Sequence, residues 1–543
     1  MTAVVTAPDH RPSLASFDYV AAHPLVQQLR KRVPVTAPFA VLVVAMVVWF
    51  LVFAVPVGWR HDRFGSFDHD LGIWDQYTWL LSRGRLSSLI TVRGLTPFGF
   101  HASPGMALYV PFYWLGAGPN FLDVSMVGVV CVGAVPVFRA ARHHLRNEWQ
   151  ALVLGLAFLV NYAAQWMLQE TFHPEVIAIV PLLFAYVAAI EGRWRAYAVW
   201  IVLALIWKED VALAVLMLGV VLAIRGRRTV TGRLGPERTR ALGLATMAAA
   251  AIWFVFATRL LIPHFSTGGV FTESLFGDLG GTPTEMVKTA VTNPGIVGQH
   301  LEQSNPWDYL RSLLGSYGFV GLLSPLVLLV ALPQALINLL AVYNFFWTTK
   351  VHYAAMPLLG VTLASVEGVA RFRAPGVRRF LVGAVAVGAF FTCVSWGISP
   401  LSSDFRAGYW AIDPGPRQAE LEHVVTIPGP DDPVSAAYYL VPHLTHRDAA
   451  YTFPNPWLPQ NWGVADENRP DPGTVDWIIV DPSTLNPTEG GVLASALRDP
   501  ERSLVAGQQP APPADHDYTA LVDEAKWDVV IDEPDLLVVH RRR

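Results

Sequence analysis

Apolar runs recur along the chain from residue 39 to residue 399. The first, PFAVLVVAMVVWFLVFAVPVGW at 38–59, is long enough to cross a bilayer, which takes roughly 20 helical residues for about 30 Å of hydrocarbon. The later spans are predicted at 121–138, 150–168, 174–190, 195–207, 211–225, 240–262, 317–332, 334–347, 351–369 and 380–398. The pattern predicts an all-α polytopic membrane protein with roughly eleven transmembrane helices.

Basic residues beside the runs predict which ends face the cytoplasm, because Lys and Arg concentrate on that side. Arg30, Lys31 and Arg32 precede the first span, so the N-terminus is placed inside. If the proline-containing run at 104–118 crosses, the basic loop 139–146 falls outside; if that run lies along the outer interface, the loop falls inside. We take the interfacial alternative, since it places the remaining basic segments inside and the C-terminus outside. Those segments are 193–195, 225–240 and 371–379.

Three units follow from this arrangement: a cytoplasmic leader at 1–38, a transmembrane domain at 39–399 and an extracytoplasmic domain at 400–543. The transmembrane domain has large external loops at 58–120 and 263–316, the second with a capped helix predicted at TPTEMVKTAV. The leader is polar and has no cleavage pattern, so the first run is expected to remain as a span of a multi-pass protein in the inner (plasma) membrane.

The region after residue 400 has no run long enough to span a membrane and carries short strand-like segments instead. These are PVSAAYY, AAYTF, VDWIIVD, WDVVIDE and DLLVVHR. Their enrichment in Val, Ile, Tyr and Trp is typical of strands. With a helical stretch expected between the first two, the region is predicted to fold as a small α/β domain.

The composition agrees with this fold class and argues against others. Of 543 residues, 53% are hydrophobic and 15% are charged, with a mean hydropathy of +0.37, whereas soluble domains are nearer about 25% charged. The net charge of −4 is too small to indicate a nucleic-acid partner. Cys131 and Cys393 are the only cysteines, and both lie in apolar runs. A disulfide framework or a cysteine metal site is therefore not expected.

An acidic, aromatic stretch, FDHDLGIWDQYTWLLSRG at 67–84, follows the first span. It predicts an amphipathic helix lying on the membrane surface. One face carries Ile73, Trp74, Tyr77, Leu80 and Leu81, and the other carries Asp75, Thr78 and Ser82. Asp70 stands where the helix would begin, so it is either an N-cap or a carboxylate held at the surface as a base or metal ligand. The two interpretations are compatible.

Other ionisable residues fall on the same outer side, where such groups are costly unless they are paired or used. They lie in QETFHPE (Glu170, His173, Glu175), in WKEDVA (Lys208, Glu209, Asp210), in KVHYAA (Lys350, His352, Tyr353) and at His101. Lys208 and its acidic neighbours can simply neutralise one another, and histidines at span ends are commonly structural. Because separate outer loops contribute, we favour a membrane-embedded site that opens outward.

The stretch at 67–84, followed by FHASPGMALYVPFYWLG, resembles the first external loop of GT-C membrane glycosyltransferases. There an acidic residue and an amphipathic helix precede a second interfacial helix entered through a proline. The set DLGIWDQ, TFHPE, WKED and HY resembles more closely a bacterial membrane family of unknown function that is grouped with that superfamily. The resemblance covers residues 60–370. It implies a GT-C-like fold and transfer of a sugar from a polyprenyl-phosphate donor on the outer face of the membrane.

Roles for the acidic residues follow from that resemblance. Asp70 is carried over as the base that accepts the proton of an acceptor hydroxyl. Asp75 lies one helical turn further on, and Asp68 is a rival for the same role. The acceptor is expected to be an envelope glycan, lipid or protein.

The leaving lipid phosphate needs positive charge more than a general acid. The predicted substrate- and phosphate-binding set is His101, His173, Lys208, Arg93, His352 and Tyr353. The predicted ligands of a divalent cation, Mg²⁺ or Mn²⁺, are Glu175, Glu209 and Asp210. Asp68-His69-Asp70 has the spacing of a DxD metal pair, but so short a match leaves metal dependence open.

Two rival functions belong to other classes. A transporter or lipid flippase predicts charges along a path in mid-span and broken helices in matching halves, whereas the charges here lie mainly at the outer ends. A non-catalytic envelope scaffold would leave Asp70 as a cap only. The sugar, the acceptor, the stereochemistry and the oligomeric state leave no signature in the sequence.

Overall fold

The computed structural model of the chain describes residues 36–225, 235–266, 271–407, 417–464, 467–513 and 517–543. Residues 1–35 of the predicted leader and residues 226–234 of the basic cluster therefore lie outside the described residues. The main helices up to residue 225 are α1 Ala37–Asp62, α2 Ile73–Ser82, α3 Val110–Trp114, α4 Pro119–Leu145, α5 Glu148–Glu170, α6 Pro174–Ile190, α7 Trp194–Leu205 and α8 Val211–Arg225. The later helices are α9 Pro236–Phe265, α10 Pro283–Thr292, α11 Pro294–Ser304, α12 Pro306–Gly315, α13 Pro325–Leu340, α14 His352–Ala370, α15 Pro375–Trp396, α16 Gln418–Val424 and α17 Pro487–Arg498.

Among the described residues, six helices are long and apolar enough to cross a membrane: α1, α4, α5, α9, α14 and α15. Helices α6, α7, α8 and α13 are apolar but shorter. The chain is thus a mostly helical membrane protein with several candidate spans, as the sequence predicts. The capped helix expected at TPTEMVKTAV is α10, where Thr282 and Glu285 form a capping box. Cys131 and Cys393 are free and buried.

Helix α6 lies at the centre of the bundle. All of its residues are buried except Phe184 and Ile190. A helix that is hydrophobic on every side is expected inside a protein or a membrane. Helix α1 is equally apolar, but only 28% of its most apolar window is buried. Its exposed side is therefore suited to face lipid.

The basic segments gather at one end of the bundle. Arg225 at the end of α8 donates a hydrogen bond of 2.6 Å from Nη1 to Oε1 of Glu367 near the end of α14. The Tyr186 hydroxyl of α6 bonds to the same carboxylate, and His144 Nε2 of α4 lies 3.4 Å from it. The C-terminal ends of four helices meet here, so the helix ends that precede the predicted basic loops share one end of the bundle.

The segment from 306 to 340 differs from the prediction of spans at 317–332 and 334–347. Asn338 donates to the Tyr309 hydroxyl at 2.9 Å, so the start of α12 lies beside the end of α13. At the opposite end, Arg371 donates to the Leu323 carbonyl at 2.9 Å. The chain therefore runs along α12, turns near residues 318–321 and returns along α13.

The misplaced boundary has a physical reason. Helix α12, PWDYLRSLLG, carries Asp308 and Arg311, which pair with each other at 3.1 Å on an exposed surface. Because of these charges, the sequence predicts that this segment belongs to an external loop. The other side of the helix nevertheless buries Tyr309 and Leu313.

The run at 104–118 forms no helix long enough to cross a membrane, as the interfacial alternative predicts. It forms a 3₁₀ turn at Pro104–Leu108 and the five-residue helix α3. Trp114 and Leu115 are 69% and 86% exposed, which suits a segment at the membrane boundary. The following span was predicted to end at residue 138, but α4 continues helically to Leu145, so most of the predicted loop 139–146 is helix.

The C-terminal region forms a five-stranded sheet in the order β2-β1-β3-β5-β4. The strands are β1 Val434–Ala436, β2 Ala450–Thr452, β3 Trp477–Val480, β4 Trp527–Glu533 and β5 Leu536–Arg541. β1 pairs in parallel with β2 and β3, and β5 is antiparallel to β3 and β4. All five predicted strands are confirmed. The helical stretch expected between the first two is only a turn, Val441–His443, and α17 lies between β3 and β4 instead.

The two faces of this sheet have different neighbours, because side chains alternate along a strand. Val434, Ile479 and Val538 join the core of the helical region, while Ile478 and Val480 pack in a separate core that includes α17. The sheet thus lies directly against the segment at 58–120. One contact is a hydrogen bond of 3.0 Å from the Asp68 amide to the Tyr438 carbonyl.

Candidate functional site

A cavity of about 660 Å³ lies at the end of the bundle opposite the basic segments. Its charged and imidazole side chains come from four separate loops, as the sequence predicts: Asp70, Arg93, His101, Glu170, His173, Lys208, Glu209, Asp210 and His352, together with His69 and the neighbouring Tyr353. Its apolar lining includes Leu213, Phe254, Ile262, Ile337, Phe345 and Phe346. One cavity therefore combines a charged part of its lining with an apolar part that is suited to contact a hydrocarbon chain.

Asp70 is not an N-cap, so that interpretation is wrong. Helix α2 begins at Ile73 after Gly72, and no side chain caps it. Asp70 instead lies in a tight turn, Asp68–Gly72, with φ 65° and ψ −80°. Its Oδ1 lies 3.5 Å from Nε2 of His173. The left-handed backbone turns the carboxylate toward the loop before α6.

Asp70 and His173 stabilise each other's charge. Burial raises the pKa of Asp70, but the charge of His173 outweighs it and holds that pKa well below its usual value. Burial likewise lowers the pKa of His173, but the charge of Asp70 raises it to about 9. Within this pair the carboxylate is therefore ionised and the imidazole protonated at neutral pH.

Lys208 is the central cation of the cavity. Its Nζ lies 2.6 Å from Oε1 of Glu175 and 3.7 Å from Oδ2 of Asp210, and the lysine side chain is only 7% exposed. Burial lowers the pKa of Lys208, but the charge of Glu175 raises it well above its usual value. Burial raises the pKa of Asp210 to about 6 against the opposing charge of Lys208. Lys208 is therefore neutralised mainly by Glu175 and less closely by Asp210, whereas the interpretation of WKEDVA expected its adjacent carboxylates Glu209 and Asp210 to do so.

His101 is held by Glu209. Its Nδ1 lies 2.7 Å from Oε1 of Glu209, whose second oxygen accepts the Ala102 amide at 3.1 Å. Burial raises the pKa of Glu209, but the charge of His101 lowers it overall. This carboxylate is fully used in fixing the histidine, which leaves little of it for a metal ion.

A different set of residues fits a metal ion best. Glu170, His173 and His352 each offer one ligand atom, and these atoms lie within 4.8 Å of one another. His352 Nδ1 lies 2.9 Å from Oε1 of Glu170, and the rings of the two histidines stack with centroids 3.5 Å apart. Among the described residues, neither His173 Nε2 nor His352 Nδ1 has a well-aligned hydrogen-bond partner. Of the predicted ligands, Glu175 is engaged by Lys208.

Sequence reasoning missed Glu170 and His69 as site residues. Glu170 stands in the QETFHPE motif without an assigned role, and its spacing of three from His173 across a helix end was the available signal. His69 is exposed and lines the cavity beside Asp70, but no pattern distinguishes it from an ordinary surface histidine.

Arg93 and Tyr353 complete the lining. Arg93 Nη1 donates to the carbonyls of Asn461 and Gly463 at 2.9 Å each. Tyr353 stacks on Phe346 with centroids 3.7 Å apart. The C-terminal region therefore positions a residue of the cavity lining, as the helices do for the others.

Asp68 and Asp75 do not line the cavity. Asp68 accepts the Thr452 hydroxyl at 2.6 Å and faces the C-terminal sheet. Asp75 is fully buried and accepts from the hydroxyls of Tyr113, at 2.6 Å, and Thr445.

The polar face of α2 therefore lies under the C-terminal region and not at a free membrane surface. The sequence suggested an amphipathic surface helix because it does not reveal what covers the polar side. Thr78 on that face is fully buried as well.

These features define a polytopic membrane protein with a charged cavity at the end of its helix bundle. The chain belongs to the family described as "Predicted membrane protein (DUF2079)", whose profile matches residues 60–506. The family membership inferred from the motifs is confirmed. No curated protein matches the chain.

Two solved structures of ArnT from Cupriavidus metallidurans are similar in fold. The structure bound to undecaprenyl phosphate has a TM-score of 0.48 and 13% identity, covering 92% of this chain and 97% of that chain. The apo structure has a TM-score of 0.47 and 15% identity, with the same coverage.

Proposed function

We propose that this protein is an integral membrane glycosyltransferase of the GT-C type, which transfers a sugar from a polyprenyl-phosphate donor to an envelope acceptor. The observation that carries the proposal is the gathering of Asp70, Lys208 and Arg93 around one cavity with an apolar wall. Such a site can hold a lipid phosphate, its hydrocarbon chain and a hydroxyl acceptor at the edge of the membrane.

In the proposed reaction, the acceptor hydroxyl attacks the anomeric carbon of the sugar. The bond between that carbon and the phosphate oxygen breaks, and its electron pair stays on the phosphate. The hydroxyl proton passes to the carboxylate of Asp70, which is ionised and ready to accept it. A weakly basic carboxylate suffices, because the hydroxyl becomes strongly acidic as its oxygen bonds to the anomeric carbon.

Positive charge near the leaving phosphate is the second requirement. Lys208 bonds to Glu175 through one of its three N–H groups, which leaves others for the phosphate. Arg93 lines the same cavity, with a guanidinium that can bind a phosphate through several donors. His101, His352 and Tyr353 shape the remaining polar lining.

A divalent cation fits the same cavity and belongs to the proposal. Glu170, His173 and His352 would hold it once His173 has given up its proton, and two imidazoles with one carboxylate favour a borderline ion such as Zn²⁺ over Mg²⁺ or Mn²⁺. Such an ion would add positive charge beside the phosphate. The described residues support a bound cation, because the carboxylates that line the cavity outnumber its two basic side chains, Lys208 and Arg93.

The topology is also proposed. The contacts at 306–340 support two crossings there, which with the other nine candidate helices make eleven. The basic end would face the cytoplasm, and the cavity and the domain at 400–543 would lie outside the inner membrane.

The direct test is sugar transfer by the full-length protein in proteoliposomes. Radiolabelled sugars on undecaprenyl phosphate and native envelope fractions serve as donor and acceptor. We expect transfer by the wild type and a loss of about 10² to 10⁴-fold in Asp70→Asn. Asp62→Asn is the matched control, because the exposed Asp62 carboxylate accepts from the Asn120 amide outside the cavity. Equal transfer by the two variants would remove Asp70 from the chemistry.

A further inference from the structure

We propose that the C-terminal sheet and its loop at 461–463 act as a positioning element, which sets the conformation of the two loops that carry Asp70 and Arg93 into the cavity. The proposal rests on the proposed function for its catalytic meaning. Its structural basis is two separate contacts, one for each loop.

The first contact holds the loop of Asp70. The Asp68 amide donates to the Tyr438 carbonyl at 3.0 Å, just after β1, and the Asp68 carboxylate accepts the Thr452 hydroxyl at 2.6 Å, at the end of β2. The rings of Phe67 and Tyr438 lie 6.2 Å apart. The carboxyl ends of parallel strands commonly bind ligands. Here that edge of the sheet holds the protein's own loop.

This contact bears on Asp70 through the backbone. With φ 65° and ψ −80°, Asp70 adopts a conformation that costs a non-glycine residue about 1–3 kcal/mol and persists only when its surroundings impose it. Two residues away, Asp68 is fixed by the sheet. The sheet therefore supplies part of the constraint that directs the Asp70 carboxylate toward His173.

The second contact holds the loop of Arg93. Gly463 donates its amide to the Arg93 carbonyl at 2.7 Å, and the Arg93 guanidinium donates to the carbonyls of Asn461 and Gly463. Between them, the Trp462 ring packs onto Gly94. A Cβ on Gly94 would lie 2.3 Å from that ring, and Gly94 has φ +75°. The C-terminal loop and the Arg93 loop are thus fitted to each other.

The two contacts predict two different kinetic effects. Loosening the Asp68 contact misplaces the base and lowers kcat, while loosening the Arg93 contact weakens phosphate binding and raises KM for the lipid donor. A domain that merely stabilises the fold would change both parameters together or neither of them.

The first experiment compares Thr452→Val with Thr519→Val, whose hydroxyl bonds to Asp532 on an exposed part of the same region. We expect Thr452→Val to lower kcat about 10- to 100-fold at unchanged KM, with restoration in Thr452→Ser and no change in Thr519→Val. Equal kcat in the two valine variants would overturn the proposal.

The second experiment compares Gly94→Ala with Gly84→Ala. Both glycines have positive φ, but a Cβ on Gly84 meets nothing within 4 Å. Both variants therefore carry similar backbone strain, and only Gly94→Ala disturbs the domain contact. We expect undecaprenyl phosphate to bind Gly94→Ala about tenfold more weakly by native mass spectrometry. Equal binding by the two variants would contradict the proposal.

Hydrogen exchange separates this proposal from the proposed function, because it requires no turnover. We expect amides at 67–70 to exchange about tenfold faster in Thr452→Val than in Thr519→Val. If the wild type transfers no sugar but this difference appears, the glycosyltransferase proposal fails and the positioning role stands. If the exchange rates agree, the positioning role fails whatever the activity.

Discussion

Asp70 and Asp75 are five residues apart in one loop and helix, yet they lie in different environments. Asp70 faces a cavity and has His173 as its nearest charged partner, 3.5 Å away. Asp75 is fully buried between α2, α3 and the C-terminal region, and it accepts from two hydroxyls besides contacting His446 at 3.1 Å. One carboxylate is left accessible for chemistry, and the other is used to hold two parts of the molecule together.

The comparison shows how partners decide the role of an acidic residue. A carboxylate with every lone pair satisfied is a structural element, since breaking its bonds leaves buried donors unpaired. A carboxylate beside one imidazole, in a cavity, keeps accepting capacity for a substrate.

The largest effect is expected for the charge balance of the cavity. Replacing Lys208 by Met leaves the Glu175 carboxylate buried beside Asp210 without its cation. We expect a loss of about 3–5 kcal/mol in the free energy of unfolding, because breaking a buried ion pair strands a charge. Unfolding of the detergent-solubilised protein measures it.

The double variant Lys208→Met with Glu175→Gln should recover much of that loss, because it also removes the buried Glu175 charge and leaves only the partly exposed Asp210 carboxylate without its cation. Lys350→Met is the control, since Lys350 lies over the Trp166 ring and pairs with no carboxylate in the described part of the chain. If Lys208→Met were as stable as Lys350→Met, the cavity would not depend on this charge.

How far the sequence predicts this cavity can be judged residue by residue. Lys208, His173 and His352 were predicted because charged motifs recur at the same end of successive spans. The role of Asp75 could not be predicted, since its partners Thr445 and His446 lie some 370 positions away along the chain. Tertiary contacts of that range leave no local pattern.

The same distinction applies to the fold. The strand-like segments predicted all five strands, because period-2 patterning is local. The boundaries of the spans predicted at 317–332 and 334–347 were wrong. Asp308 and Arg311 on α12 made the sequence resemble a polar loop, although the buried side of that helix is apolar.

Metal binding should depend on His352 and not on His101, although both are buried histidines of the same cavity. We expect His352→Asn to lose more than about 100-fold in Zn²⁺ affinity, because a direct ligand contributes more than an outer-shell partner. His101→Asn should keep the metal, since His101 pairs with Glu209. Metal content of the purified protein measures both. Equal metal content would contradict the assigned ligands.

The smallest effect concerns pH at the Asp75 side. Burial lowers the pKa of His446, but the charge of Asp75 raises it above its usual 6.5, with Arg83 opposing. Because the folded pKa is the higher one, the stabilisation is complete below about pH 6.5 and is lost as the pH rises through the folded value. His446 is 41% exposed, so less than about 1 kcal/mol is expected.

Unfolding midpoints between about pH 6 and about pH 9 measure this dependence. The matched variant His446→Gln removes the titrating group and should flatten the profile over that range. An unchanged slope in His446→Gln would assign the pH dependence to another group.

The most direct measurement is a parallel assay of Asp70→Asn and Asp75→Asn for sugar transfer and for unfolding. We expect Asp70→Asn to lower the rate of sugar transfer by about 10²-fold or more while the protein remains folded. We expect Asp75→Asn to lower the free energy of unfolding by about 1–3 kcal/mol and the rate of sugar transfer by less than about tenfold. Equal loss of transfer in both variants, or a greater loss in Asp75→Asn, would contradict the assignment of one carboxylate to chemistry and the other to structure.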